Sequence, residues 1–460
     1  MVIILADDLG AGDLGAYNAD SKIPTPSLDR LAREGVRFLD AHAASSVCSP
    51  TRYGLLTGRY AWRTRLSRGV LDGNSRALID ADTPTLASAF ADAGYRTACF
   101  GKWHLGLGAF DAARPDAKAD YSRVFDSGPH TLGFARSRII PASLDMPPYA
   151  WVTDGQVEVL PTEHLEAGKR RWSGGEGFWR AGPSSPGFVI GDALHSIASD
   201  AVDFIENRAS TESPPFLLYV PLTAPHTPWV PDSEHVGRSR AGWYGDFVAQ
   251  VDTEVGRILT ALESSGARDD TIVVLLSDNG AHWRPEDVAN FEHDSHLGRR
   301  GMKADIHEAG HRVPMILRWP GHTPPNSTSG ALVSSVDLFA TLAELCGVAL
   351  PKSAAEDSVS FAACAIDPSA AAREDLVLHS LDGTFALRAG DWVMIEGLGS
   401  GGFTVPVRKA PQPGEPEVQL FDLAGDPAQR NDRSRDEPVR IARMRTRLAS
   451  IRSGSPTSAR

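Results

Sequence analysis

The segment Cys48-Ser49-Pro50-Thr51-Arg52 puts a thiol at the expected entrance of a helix. Proline is tolerated in a first helical turn because its missing N–H would be unpaired there anyway. Arg52 falls about one turn on, where its side chain can point back toward the entrance. Free N–H groups and a partial positive charge at such an entrance suit an anionic ligand and lower a thiol's pKa. Four further groups of reactive residues follow apolar runs that read as strands: Asp7-Asp8, Lys102 with His104, His226, and Asp278-Asn279. Three carboxylates and one amide make an oxygen-only ligand set, which fits a hard divalent cation such as Ca²⁺ or Mg²⁺ rather than zinc. Taken singly, the cysteine also fits a buried structural thiol, and the others fit a turn, a cap or a loop. Their common place past strand ends favours one site, since open parallel sheets bind ligands at the carboxyl ends of their strands.

The elements that must position these residues alternate along the chain. Continuous apolar runs predict buried strands at 2–6, 36–38, 95–100, 216–220, 271–276 and 313–317. Helical spacing and Gly or Pro boundaries predict helices at 26–34, 48–58, 85–93, 192–207, 243–262 and 336–346. A long irregular stretch rich in Gly, Pro and Trp follows His104 and runs to about residue 190. This alternation predicts an α/β fold, a large, mainly parallel sheet flanked by helices. After residue 370 the texture changes to short strands at 376–379, 384–388, 392–395 and 419–423, a Gly-rich loop at 397–403, and a helix at 438–451. The expected division is a catalytic unit at 1–370, a smaller antiparallel α+β subdomain at 371–452, and a disordered tail at 453–460.

Composition narrows the function. The chain has 460 residues, 42% hydrophobic and 23% charged, with a formal charge of -12 and no basic run, which argues against a nucleic-acid surface. Its four cysteines are too spread for a zinc pattern and too few for a disulfide scaffold. No apolar run is long enough to span a bilayer. The opening Met1-Val2-Ile3-Ile4-Leu5-Ala6 is too short for a signal peptide and lacks a basic flank. A periplasmic or secreted protein is expected if a leader has been removed, and a cytoplasmic one otherwise. The sequence sets no oligomeric state.

The chain resembles the type I sulfatases of the alkaline phosphatase superfamily over nearly its whole length. The resemblance rests on Ala6-Asp7-Asp8-Leu9-Gly10, Cys48-Ser49-Pro50-Thr51-Arg52 continuing to Leu56-Thr57-Gly58-Arg59, and Gly101-Lys102-Trp103-His104-Leu105-Gly106. Further along it rests on Ala224-Pro225-His226, Ser277-Asp278-Asn279-Gly280, Gly301-Met302-Lys303 through Glu308 to Arg312-Val313-Pro314, and Trp319-Pro320-Gly321. The resemblance implies that a formylglycine-generating enzyme oxidises Cys48 to formylglycine during maturation. One hydroxyl of the hydrated aldehyde attacks sulfur, and proton loss from the other expels sulfate. It further implies that Asp7, Asp8, Asp278 and Asn279 hold the cation, normally Ca²⁺ with Mg²⁺ as the alternative. Arg52 would hold the formylglycine hydroxyl, and Lys102 and Lys303 would bind sulfate oxygens. His104 would accept a proton when the intermediate collapses, and His226 would protonate the leaving ester oxygen.

Substrate contacts are expected from Ser143 near the nucleophile, from His293 and His296, and from His379 and the Gly-rich loop ending in Phe403. His307-Glu308-Ala309-Gly310 stands where many relatives carry Trp-Glu-Gly-Gly, a difference expected to affect packing more than chemistry. Tyr149, Trp151, Trp172 and Trp179 in long loops suit stacking on sugar rings, though loop aromatics also serve as packing anchors. The expected substrate is therefore a sulfated carbohydrate. The alternatives are a phosphonate monoester or phosphodiester hydrolase on the same scaffold, and a non-catalytic glycan-binding protein.

Overall fold

The computed structural model describes residues 1–108, 119–173, 176–207 and 214–454. Its central element is β1 (Val2–Asp7), a strand of Val, Ile, Leu and Ala buried on both faces. Odd and even positions of β1 face different cores: Ile3 and Leu5 join one apolar cluster, Val2, Ile4 and Ala6 the other. Helix α1 (Pro26–Glu34) starts on a proline and buries Leu28, Leu31 and Ala32. Next come β2 (Val36–His42), α2 (Cys48–Thr57), α3 (Leu86–Asp92) and β3 (Arg96–Lys102). Helix α2 is buried on every side and stops where Gly58 turns left-handed at φ 62°. Helix α3 is capped by Thr85, whose hydroxyl accepts the Ser88 N–H at 3.0 Å.

The stretch after His104 is more ordered than its composition suggests. Its β4 (Arg136–Ile140) pairs in parallel with β3, while β5 (Val152–Thr153) and β6 (Gln156–Val157) extend the sheet antiparallel. Beyond them lie the short β7 (Glu163–Leu165), β8 (Gly168–Ser173), β9 (Glu176–Trp179) and β10 (Gly182–Ser184). The charged start of β4, Arg136-Ser137-Arg138, faces partly outward near the sheet margin and hides the strand from an apolar-run criterion. Next come α4 (Ala193–Glu206), β11 (Phe216–Pro225), α5 (Gly242–Ser264), β12 (Val273–Ser277), α6 (Pro285–Phe291), α7 (Glu308–His311), β13 (Met315–Arg318), β14 (Ser327–Ser334), α8 (Leu338–Leu345) and α9 (Ala362–Ile366). Edge strand β14, Ser-Thr-Ser-Gly at its start, is likewise absent from the sequence expectation because only its end is apolar.

The ten strands of the main sheet run in the order β14-β2-β13-β12-β1-β11-β3-β4-β5-β6. Pairs β12–β1, β1–β11, β11–β3, β3–β4 and β14–β2 are parallel, whereas β13 is antiparallel to both neighbours. The fold is thus α/β with a large mixed, mainly parallel sheet. A separate four-stranded antiparallel sheet of β15 (Asp375–His379), β16 (Phe385–Ala389), β17 (Trp392–Glu396) and β18 (Val418–Asp422) packs with α10 (Pro438–Arg452) around its own apolar cluster. Ala44, Tyr60, Ile306 and Val336 of the larger unit enter that cluster, so the smaller sheet leans on the segments flanking α2. Of the expected tail, residues 455–460 lie outside the described residues.

One close approach ties the sheet edge to the segment after it. Gly280 donates its N–H to Gly310 O at 2.9 Å, and a Cβ on Gly280 would collide with the Ala309 carbonyl oxygen. Gly280→Ala is therefore expected to destabilise the protein by about 1–3 kcal/mol, measured as a lowered midpoint in denaturant unfolding.

Candidate active site

The main sheet delivers its reactive residues to one edge. Ala6 of β1 pairs with Ser277 of β12 and Asp7 with Pro225 of β11, so Asp7-Asp8, Asp278-Asn279 and His226 emerge side by side. Strand β3 adds Lys102 and His104 at the same edge. Asp8 leaves β1 at φ 70°, a left-handed turn in which its N–H reaches Asp278 Oδ1 at 3.3 Å. Ser277 Oγ accepts the Leu9 N–H and donates to Asn279 O, both at 2.9 Å, and so stitches the two acidic turns together.

Cys48 opens α2 with its Sγ 3.7 Å from Asp7 Oδ1. The expectation of an acidified thiol fails here. Burial, and then the Asp278 carboxylate, push the Cys48 thiol up to about 12, despite the helix entrance and two lysines. As a cysteine this side chain is a protonated thiol at neutral pH.

Arg52 does not aim its fork at residue 48. Its Nε and Nη2 donate to Asp278 Oδ2 at 3.0 and 2.7 Å, its Nη1 donates to Lys102 O at 2.8 Å, and Nη2 stands 3.7 Å from Asp7 Oδ2. Lys102 Nζ donates to Asp7 Oδ2 at 2.7 Å and to Ser143 Oγ at 3.2 Å. Lys303 Nζ lies 2.7 Å from Asp8 Oδ1 and 2.9 Å from Asp8 Oδ2. Three buried carboxylates therefore face three buried cations. Burial alone would raise Asp7, but Lys102, followed by His226 and Arg52, holds its carboxyl below the usual carboxylate value. Lys303 titrates above an ordinary lysine because Asp8 outweighs the cost of its burial.

Backbone carbonyls fix both histidine tautomers. His226 Nδ1 lies 2.5 Å from Thr227 O, so Nδ1 carries the hydrogen, and Nε2 faces Asp8 Oδ2 at 3.9 Å. Ser143 Oγ, 3.2 Å from the same Nδ1, bridges His226 to Lys102. His104 Nε2 lies 2.7 Å from Leu71 O and must donate there, which leaves Nδ1 as a buried lone pair with no hydrogen-bond partner among the described residues. Burial, then Lys102 and Arg52, holds His104 far below an ordinary imidazole, so it is neutral.

The donor set fits a cation. Asp7, Asp8 and Asp278 supply carboxylate oxygens, and Asn279 Oδ1 is buried without a hydrogen-bond partner among the described residues while its Nδ2 donates to Asp8 Oδ1 at 2.6 Å. Ligand atoms of Asp7, Asp8, Cys48 and His226 fall within 4.8 Å of one another. With oxygens predominating, the ion favoured is hard.

The other expected substrate residues are used as scaffold. His293 is fully buried, with Nε2 on Asp13 Oδ1 at 2.8 Å and Nδ1 accepting the Lys22 N–H at 3.4 Å. His296 Nε2 contacts Ala281 O at 3.2 Å. His379 points its ring at Ser67 O, 2.8 Å away, but its own carbonyl accepts from Ser45 Oγ at 2.8 Å and Ser46 N at 3.0 Å, just ahead of Cys48. Phe403 packs on His282. Tyr149 is buried against Phe188, Trp151 stacks under Arg138, and Trp179 Nε1 donates to Glu166 O at 2.7 Å. The side chain of Trp172 lies outside the described ones. Sequence reasoning missed Asp13, which accepts from Gly10 N at 2.7 Å, Ser295 Oγ at 2.6 Å and Tyr244 Oη at 2.5 Å beneath the Asp8 turn. An aspartate five residues after Asp8 in a Gly-rich stretch carries no signal that separates such a buried hub from an ordinary turn.

Comparison with known proteins agrees with this geometry. The sulfatase family model matches residues 1–348. The chain is 32% identical over 486 residues to N-acetylgalactosamine-6-O-sulfatase of Bacteroides thetaiotaomicron, covering 98% of this chain and 93% of that protein. It is 32% identical over 412 residues to human arylsulfatase A, covering 85% and 73%. A solved structure described with the metabolism of multiple glycosaminoglycans by Bacteroides thetaiotaomicron superposes with a TM-score of 0.84 at 32% identity, covering 98% of this chain and 99% of that one.

Because the charges at this edge are buried and mutually paired, removing one is costly. Arg52→Met strands Asp278 and is expected to lower stability by about 3–5 kcal/mol. Cys48→Ser leaves every ion pair intact and is expected to cost less than about 1 kcal/mol. Urea unfolding of the two variants beside the parent checks the contrast.

Proposed function

The chain belongs to the sulfatase family and is a sulfuric ester hydrolase, and from that premise we propose that it removes sulfate from a sulfated carbohydrate. In this proposal Cys48 is the precursor of formylglycine, installed by a formylglycine-generating enzyme, and Asp7, Asp8, Asp278 and Asn279 hold Ca²⁺. The strongest support is convergence: the Cys48 thiol, three carboxylates and two lysines meet at one strand edge, with Sγ 3.7 Å from Asp7. The carbohydrate is favoured by the relative named for N-acetylgalactosamine 6-O-sulfate, which aligns with nearly the full chain.

When present, the aldehyde hydrate supplies a two-hydroxyl nucleophile at residue 48, and the cation supplies Lewis-acid polarisation of the sulfate. The chain's own residues do the rest. Lys102 and Lys303 hold sulfate oxygens, and the charge they offset grows as the S–O bond breaks. Both are already aimed by Asp7 and Asp8, so they need no reorganisation. His226, with Nδ1–H tied to Thr227 O, carries the proton for the leaving sugar oxygen at Nε2. His104, with Nε2–H tied to Leu71 O, accepts a proton at Nδ1. Ser143 keeps Lys102 and His226 in register.

Sulfate release from 6-O-sulfated N-acetylgalactosamine saccharides, run beside the matched phosphate esters, tests the assignment; preferential phosphate release would reject it. Mass measurement of the peptide containing residue 48 is expected to show the aldehyde in active protein, and Cys48→Ala is expected to abolish turnover. His226→Asn is expected to slow a sugar sulfate about 10²–10⁴-fold. It should slow an aryl sulfate with a good leaving group far less, because that oxygen departs without a proton.

A further inference from the structure

A second cluster, behind the rim that carries Asn279, is built like a ligand set. His42 ends β2, and Glu308 and His311 lie on α7, all three buried. Their ligand atoms fall within 4.8 Å of one another. His42 Nδ1 and His311 Nδ1 face each other at 2.9 Å. Each ring's other nitrogen meets an acceptor: His42 Nε2 with Asp40 Oδ1 at 2.8 Å, and His311 Nε2 with Ile306 O at 3.1 Å. Glu308 Oε2 takes Arg312 Nη1 at 3.0 Å, while Oε1 has no hydrogen bond among the described residues and Arg388 Nη1 stands 4.0 Å from it.

Proton counting leaves this arrangement one hydrogen short. Three contacts each need a hydrogen, and two neutral imidazoles carry two. Either the pair holds an extra proton, or lone pairs confront each other at one of the three contacts, between the two Nδ1 atoms or at one Nε2 acceptor. Burial outweighs the pull of Asp40 and Glu308 and disfavours the extra proton on either ring, and Glu308 stays ionised. With both Nε2 atoms donating, to Asp40 and to Ile306 O, both Nδ1 atoms are bare, the form that ligates. Imidazoles whose second nitrogens donate to a carboxylate and to a backbone carbonyl match the outer-shell pattern of metal-bound histidine.

We propose that His42 Nδ1, His311 Nδ1 and Glu308 Oε1 form a second, structural site for a late first-row divalent cation of the zinc class. Two nitrogens and one carboxylate select such an ion over Ca²⁺. Tetrahedral coordination at about 2.0 Å needs the nitrogens about 3.3 Å apart, a few tenths beyond their present spacing. Arg299, Arg312 and Arg388 oppose any added positive charge, whereas Asp40 and Glu308 favour it. A metal gains three ligand bonds against that opposition, and a proton gains one hydrogen bond. The site also has a reason to be there: His311 O accepts the Ala43 N–H at 2.8 Å and Gly310 O accepts the Gly280 N–H at 2.9 Å. Filling it would clamp the chain entering α2 to the chain leaving β12.

The test uses full-length protein, stripped of transition metals and kept in excess Ca²⁺ to fill the oxygen site. Titration with Co²⁺ is expected to give about one equivalent of visible ligand-field absorption, displaced by Zn²⁺, together with a raised melting temperature in Zn²⁺. His311→Gln and Glu308→Gln are each expected to weaken uptake at least tenfold. Absence of the absorption in the parent, whatever the variants do, overturns the proposal. So does unchanged uptake in folded His311→Gln, or a proton found shared between the two rings by NMR with Zn²⁺ present.

Discussion

The interaction on which the rest depends is the pairing of Asp7, Asp8 and Asp278 with Lys102, Lys303 and Arg52 inside the protein. Each of these charges taken from water alone would cost several kcal/mol, so none is tolerable without its partner at hydrogen-bond distance. The requirement fixes geometry over long sequence separations. Arg52 must come from a helix, Lys102 from β3, Lys303 from the segment before α7, and all must meet the ends of β1 and β12. A helix as buried as α2 is the consequence, because its arginine has to reach the middle of the sheet edge.

The same pairing would let the site, in the proposed reading, stay rigid and still accept both a cation and an anionic ester. Carboxylates and ammonium groups alternate, so an arriving dication and an arriving sulfate each find opposite charge without any side chain crossing solvent. Backbone carbonyls finish the arrangement: Leu71 and Thr227 each claim one imidazole nitrogen and thereby decide which nitrogen of His104 and of His226 stays free of the backbone.

Much of this was legible in the sequence because it is local. Asp7-Asp8 and Asp278-Asn279 follow buried runs that are apolar throughout in the first case and up to Ser277 in the second, so strand and strand end can be read together. What escaped depends on distant chain. No sequence pattern announces that the carbonyls of Leu71 and Thr227 will orient histidines. Nor does any show that burial and Asp278 will outweigh a helix entrance at Cys48. His293, His296 and His379 have a residue type suited to chemistry, yet their rings face Asp13, Ala281 and Ser67. Strands β4 and β14 were lost for the opposite reason: they lie toward the margins of the sheet, where polar residues are tolerated and the apolar signature fades.

The burial of residue 48 has a consequence for timing. Cys48 is 2% exposed, and the loop ahead of it is pinned by the carbonyl of His379, which the ribosome delivers more than three hundred residues later. If residue 48 is oxidised as proposed, an enzyme that must grip this thiol in its own active site would have to reach it before the small C-terminal sheet docks. Fast closure of that sheet would then yield well-folded but permanently inert molecules, and the fraction that works would be set by a race between oxidation and synthesis rather than by the stability of the finished fold.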